Sequence, residues 1–124
     1  METPQRQILV VDDDVLMAKM LKARLELAGF EVHLEHTGAG ALQYASEHKP
    51  GLVILDLRLP DIHGYQVCLL LRKLFASDCM PVVMLTGMEQ PVDQLRGYAH
   101  GADAYLTKPC EADELLETIS ELFG

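Results

Sequence analysis

Three uninterrupted apolar runs constrain this chain more than any other feature: Ile8-Leu9-Val10-Val11, Leu52-Val53-Ile54-Leu55 and Val82-Val83-Met84-Leu85. None alternates with polar residues. A short β-branched run that is apolar at every position suits a strand covered on both faces, as in parallel sheets. Phe30-Glu31-Val32-His33-Leu34 does alternate and suits a strand nearer the sheet edge, while Ala104-Tyr105-Leu106 is a weaker fifth run. Helical spacing fills the gaps. Leu16, Met20, Ala23 and Leu27 recur at i, i+4, i+7 and i+11 and are followed by Gly29 as a stop. Ala41, Leu42 and Ala45 mark a shorter helix ended before Pro50-Gly51, and Val67, Leu71 and Leu74 and then Leu115, Ile119 and Leu122 repeat the spacing. One more helix, Val92 to His100, is thin in apolar residues and carries Gly97. Strict alternation with short connections predicts one α/β domain over residues 1–124, a doubly wound five-stranded parallel sheet with five helices on its two faces.

Charge narrows the partners. Nineteen acids against ten bases give a formal net charge of −9, which argues against direct nucleic-acid binding by this domain and against an anionic membrane surface. No apolar run reaches the ~18–20 residues of a membrane helix, and the start, Met1-Glu2-Thr3-Pro4-Gln5-Arg6, lacks the build of a signal peptide. Cys68, Cys79 and Cys110 are odd in number and lack metal spacing, so a reduced, cytoplasmic domain is expected. Cys68 reads as a core residue, the five histidines as exposed, and Asp14 as the N-cap of the first helix. Thr37-Gly38-Ala39-Gly40 reads as a loop and helix start, because Gln43 stands where a dinucleotide fingerprint needs its third glycine.

In an open parallel sheet, ligands bind beyond the carboxyl ends of the strands, near the switch point of strand order. The first strand ends in Asp12-Asp13-Asp14, the third in Asp56, the fourth in Thr86-Gly87, and the fifth runs into Thr107-Lys108-Pro109. Two carboxylates about 5 Å apart at an effective dielectric of ~20 repel by roughly 3 kcal/mol. A hard divalent cation relieves that repulsion, and Mg²⁺ is commonly held by one or two carboxylates with waters and phosphate oxygens. Lys108 and the Thr86 hydroxyl can stabilise phosphoryl oxygens at the same edge.

These segments resemble the receiver domain of two-component response regulators. The likeness rests on Ile8 to Asp14, on Leu52-Val53-Ile54-Leu55-Asp56-Leu57-Arg58-Leu59-Pro60-Asp61-Ile62-His63-Gly64, on Val82 to Gly87, and on Gly101-Ala102-Asp103-Ala104-Tyr105-Leu106-Thr107-Lys108-Pro109. The resemblance implies a flavodoxin-like strand order of 2-1-3-4-5. It also implies that Asp56 accepts a phosphoryl group from a phosphohistidine on a histidine kinase or phosphotransfer protein, so that the domain is a phosphoprotein and not an enzyme. Mg²⁺ would be bound by Asp13, Asp56 and the backbone carbonyl of Arg58, with Asp12 acting through water. Lys108 would pair with the acceptor, Thr86 and Tyr105 would form a switch pair, and Arg58 and Met88 would set the lifetime of the phosphorylated state. The signal would leave through the segment Val92 to His100, the fifth strand and the last helix, toward an output domain or protein, or toward a second copy as a homodimer.

Two other functions fit the same fold. A Mg²⁺-dependent aspartyl-phosphate phosphohydrolase would need a second carboxylate two residues after its nucleophile, where this chain has Arg58, which cannot deprotonate. A flavin- or nucleotide-binding module would need a hydroxyl- or glycine-rich loop after the first strand, where this chain has three aspartates.

Overall fold

In the computed structural model, residues 6–76, 79–87, 101–108 and 111–123 are described, apart from the side chains of Thr86 and Ala112. The chain runs β1 (Gln7–Val11), α1 (Val15–Leu27), β2 (Glu31–Glu35), α2 (Gly38–His48), β3 (Leu52–Leu55), α3 (Gly64–Leu74), β4 (Val82–Thr86), β5 (Ala104–Thr107) and α4 (Ala112–Phe123). The five strands form one sheet of order β2-β1-β3-β4-β5, all pairs parallel. Strand number, order and direction match the expectation. Four helices lie among the described residues. The expected helix Val92 to His100 falls outside them, as do Met88, Pro109 and Cys110.

The three apolar runs are buried at every position because each strand feeds two cores. Leu9, Val11, Val53, Leu55, Val82 and Met84 pack on one side with Ala41 and Ala45 of α2 and Val67, Cys68 and Leu71 of α3. Ile8, Val10, Leu52, Ile54, Val83 and Leu85 pack on the other with Leu25 of α1 and Leu115 and Ile119 of α4. Alternation along the strand thus sends neighbours to opposite layers, and each fully buried aliphatic side chain contributes ~1.5–3 kcal/mol. The alternating strand β2 is an edge strand, as its pattern predicted.

The inward face of α1 differs from the expectation. Leu16, Met20 and Leu27 are 69%, 59% and 88% exposed, whereas Ala18 and Leu25 are fully buried and Leu21 packs beside them. This helix is apolar around most of its circumference, so spacing alone does not choose a face. The choice is made by Asp14, which caps the helix by accepting from Met17 N at 3.1 Å, and by the turn at its far end. There Gly29 adopts φ +97°, and Phe30 N donates back to Leu25 O at 3.1 Å.

Candidate functional site

The switch point lies between β1 and β3, whose neighbours lie on opposite sides. Val11 is in register with Leu55, and Asp56 N donates to Val11 O at 2.9 Å. The two strands therefore stop at one level, and Asp12-Asp13 and Asp56 emerge side by side. Two strands further on, Thr86 pairs with Thr107, which delivers Lys108 to the same edge.

Asp12 is held through all of its polar atoms. Its amide donates to Glu35 O at 3.0 Å, and its carbonyl accepts from His36 Nδ1 at 2.9 Å. Its Oδ1 accepts from Asp14 N at 3.0 Å and its Oδ2 from Lys108 Nζ at 2.9 Å. Lys108 Nζ is also 3.9 Å from Asp56 Oδ1. Asp12 and Asp56 are 2% and 9% exposed, and Asp13 is open to solvent. One carboxylate oxygen from each of Asp12, Asp13 and Asp56 can be chosen so that all three lie within 4.8 Å of one another. This is a set of hard oxygen donors of the kind that suits Mg²⁺.

Burial pushes the Asp56 carboxyl up to about 6; the Lys108 ammonium opposes that shift, and the Asp12 and Asp13 charges add to it. A raised carboxyl at a converging acid cluster, beside a lysine, makes Asp56 the candidate reactive group of this edge.

Arg58, two residues after Asp56, is exposed. Tyr105 is buried in the α2–α3 core layer. Thr86 ends β4 where expected, with its side chain outside the description. Cys68 is fully buried, and burial pushes its thiol up to about 11, so it is a packed core thiol, as expected. The histidines are only partly as expected. His48 and His63 are exposed and His100 is outside the description, but His33 and His36 are half-buried. His33 Nε2 lies 2.7 Å from Glu35 Oε2.

Two supports of the site, and one tie at the opposite edge of the sheet, were missed in the sequence. Gly64 closes the loop after Asp56, since its amide donates to Leu57 O at 2.7 Å and a Cβ there would lie 2.5 Å from Asp56 O. Asp61 caps the start of α2 from another loop. Arg72 reaches from α3 to Gly101 O, Phe75 O, Met80 O and Asp103 Oδ2 at 2.7–3.0 Å. An N-cap from within the same loop, such as Thr37 for Gly40 N, has a local signature. Bonds spanning twenty or thirty residues have none.

Comparison with known proteins agrees with this geometry. The family model described as the response regulator receiver domain matches residues 8–120. The DNA-binding response regulator MtrA of Mycobacterium tuberculosis is 41% identical over 119 residues, covering 96% of this chain and 51% of the relative. The DNA-binding dual master transcriptional regulator RpaA of Synechocystis is 37% identical over 116 residues, covering 94% and 48%. The chain thus spans about half the length of these relatives. Among solved structures, the BeF3-activated N-terminal receiver domain of Klebsiella pneumoniae RstA superposes with a TM-score of 0.89 at 28% identity, covering 95% of this chain and 99% of that one. A CheY-like response regulator receiver domain protein from Methanospirillum hungatei gives 0.87 at 33% identity, covering 93% and 90%. With a family match over nearly its whole length and acids, lysine and sheet order to fit, this chain belongs to the response regulator receiver domain family.

Proposed function

We propose that Asp56 is the phosphoacceptor and that Asp12, Asp13, Asp56 and the Arg58 carbonyl form the Mg²⁺ site. The observation that carries this reading is the convergence of three carboxylates within 4.8 Å with Lys108 Nζ 2.9 Å from Asp12 and 3.9 Å from Asp56. The donor is a phosphohistidine on a histidine kinase or phosphotransfer protein. Asp56 attacks phosphorus through a carboxylate oxygen; the P–O bond forms as the P–N bond breaks, and the electron pair returns to the donor imidazole. A carboxyl pushed up to about 6 is still largely ionised near pH 7 and is more basic than an ordinary aspartate, which favours attack. Lys108 balances charge on the acceptor and then on the phosphoryl oxygens. Bound Mg²⁺ supplies further neutralisation of that charge.

The phosphorylated state would be read out through Thr86, Tyr105, β5, α4 and the segment 88–100, which lies outside the described residues. Because the relatives named above are DNA-binding regulators twice as long, an output domain or protein is the fitting recipient of the signal. A second copy docking on the same face as a homodimer is an alternative route. Nucleic-acid contact belongs to the output and not to this acidic domain, whose place is the cytoplasm. Among the described residues, no helix is long and apolar enough to cross a membrane. Arg58 in place of a second carboxylate disfavours a phosphohydrolase, and the aspartates after β1 disfavour a flavin or nucleotide phosphate.

Incubation of wild type and Asp56→Asn with acetyl phosphate and Mg²⁺ tests the acceptor. Wild type gains one base-labile phosphoryl mass and Asp56→Asn gains none. Labelling of the variant places the acceptor elsewhere.

A further inference from the structure

The turn between β2 and α2 touches both acidic loops at once. His36 Nδ1 lies 2.9 Å from the Asp12 carbonyl oxygen, and since a carbonyl only accepts, the proton is on Nδ1. Two residues on, Gly38 N and Ala39 N donate to Asp61 Oδ1 and Oδ2 at 2.8 and 3.0 Å. Asp61 Oδ1 also accepts from Ile62 N at 2.9 Å. Asp61 belongs to the loop that starts at Asp56. The helix start lies flat on that loop: a Cβ on Gly38 would come within 3.0 Å of Ile62 Cβ and 2.9 Å of Val67 Cγ2. The amides of Ala39 and Gly38 hold the Asp61 carboxyl below the ordinary carboxylate range.

Five residues from one turn therefore span two loops that are 44 positions apart in the chain, at Asp12 and Asp56. The carboxylates on those loops repel one another, and the repulsion tends to open the gap between them. Lys108 opposes this through its 2.9 Å pair with Asp12, but its ammonium must also serve the phosphoryl group. The contacts of His36 and Asp61 involve neither the carboxylates of the site nor the lysine.

We propose that the turn from Glu35 to Ala39 is a brace that sets the separation of the Asp12–Asp13 and Asp56–Arg58 loops. His36 and Asp61 are then positioning residues for Mg²⁺ binding. The proposal rests on the reading of Asp12, Asp13 and Asp56 as the Mg²⁺ site. Neither residue touches the cation; each acts through the backbone it holds.

The test is Mg²⁺ titration followed by amide NMR shifts in wild type, His36→Ala, His36→Asn, Asp61→Ala and the His36→Ala/Asp61→Ala double variant. Urea unfolding in EDTA runs alongside. Each alanine variant should bind Mg²⁺ about tenfold more weakly, the lower end of the loss when an outer partner of a metal site is removed. His36→Asn should recover most of the affinity, because its side-chain amide can place an N–H where Nδ1–H was. The double variant should be little weaker than either single, since a brace cut at one end is already cut. Labelling by acetyl phosphate should slow at low Mg²⁺ and recover at saturating Mg²⁺. Variants that lose stability yet bind Mg²⁺ as wild type overturn the brace alone. A wild type whose residues 12, 13 and 56 show no Mg²⁺ response overturns the site reading itself. Should Asp61→Ala not fold, the His36 pair carries the test, because its bond to the Asp12 carbonyl lies outside the helix cap.

Discussion

Replacing Asp56 by asparagine should make the metal-free domain more stable at neutral pH. The substitution keeps the size of the side chain and removes its charge. In the folded state burial pushes this carboxyl from an ordinary 3.8 up to about 6, and at about 1.4 kcal/mol per tenfold that is roughly 3 kcal/mol against the ionised form. The folded state thus holds the Asp56 proton more tightly than the unfolded chain does. Between about pH 4 and 6 it binds more protons, so the contribution of Asp56 to stability falls as pH rises through that window. Below it both states are protonated and the penalty is absent; above it both are ionised and the penalty is complete. Asp56→Asn should therefore exceed wild type by about 3 kcal/mol at pH 7.5, and the gap should close toward pH 4. Urea unfolding followed by far-UV circular dichroism, in EDTA, measures both. Mg²⁺ at about a hundred times its Kd should then return about 2.7 kcal/mol to wild type and little to the variant. A variant no more stable than wild type at pH 7.5, or a gain undiminished at pH 4, would mean that the folded state imposes no penalty on the ionised Asp56 carboxylate.

Asp13→Ala should weaken Mg²⁺ binding more than any other single alanine change at the site outside Asp56, and unchanged affinity in a titration would move the cation elsewhere. Arg58→Ala should shorten the phosphorylated lifetime if the exposed guanidinium, two residues after the acceptor, folds over the phosphoryl group and obstructs in-line water; decay at the wild-type rate, followed by intact mass, would leave Arg58 in solvent. Arg72→Ala should lower stability by about 3 kcal/mol, the cost of breaking a largely buried charge pair, since Arg72 joins α3 to Asp103 and to three carbonyls. Arg72→Lys should not rescue it, lacking the planar fork that reaches four acceptors; a urea midpoint within error of wild type would contradict this.

The sheet was legible because its information is local. An uninterrupted run such as Leu52 to Leu55 needs cover on both faces, and both core layers provide it. The acids were legible for a related reason, since each directly follows a buried run, so that register alone brings Asp12 beside Asp56. The inward face of α1 was not legible, because Leu16, Met20 and Leu27 are as apolar as the Ala18, Leu21 and Leu25 face that is chosen. The long-range ties were hidden for another reason. Asp12 with His36, Gly38 with Asp61, and Arg72 with Asp103 are pairs 23 to 31 positions apart, and no residue in any pair departs from ordinary surface composition. Such bonds become visible only once the sheet has set the distances between loops.

Intact-mass analysis after exposure to acetyl phosphate and Mg²⁺, with the modified residue mapped by fragmentation, decides whether Asp56 is the phosphoacceptor. One base-labile phosphoryl group per chain is expected, located on Asp56, dependent on Mg²⁺ and absent from Asp56→Asn. An unmodified wild type, or a phosphoryl group on any other residue, would contradict it.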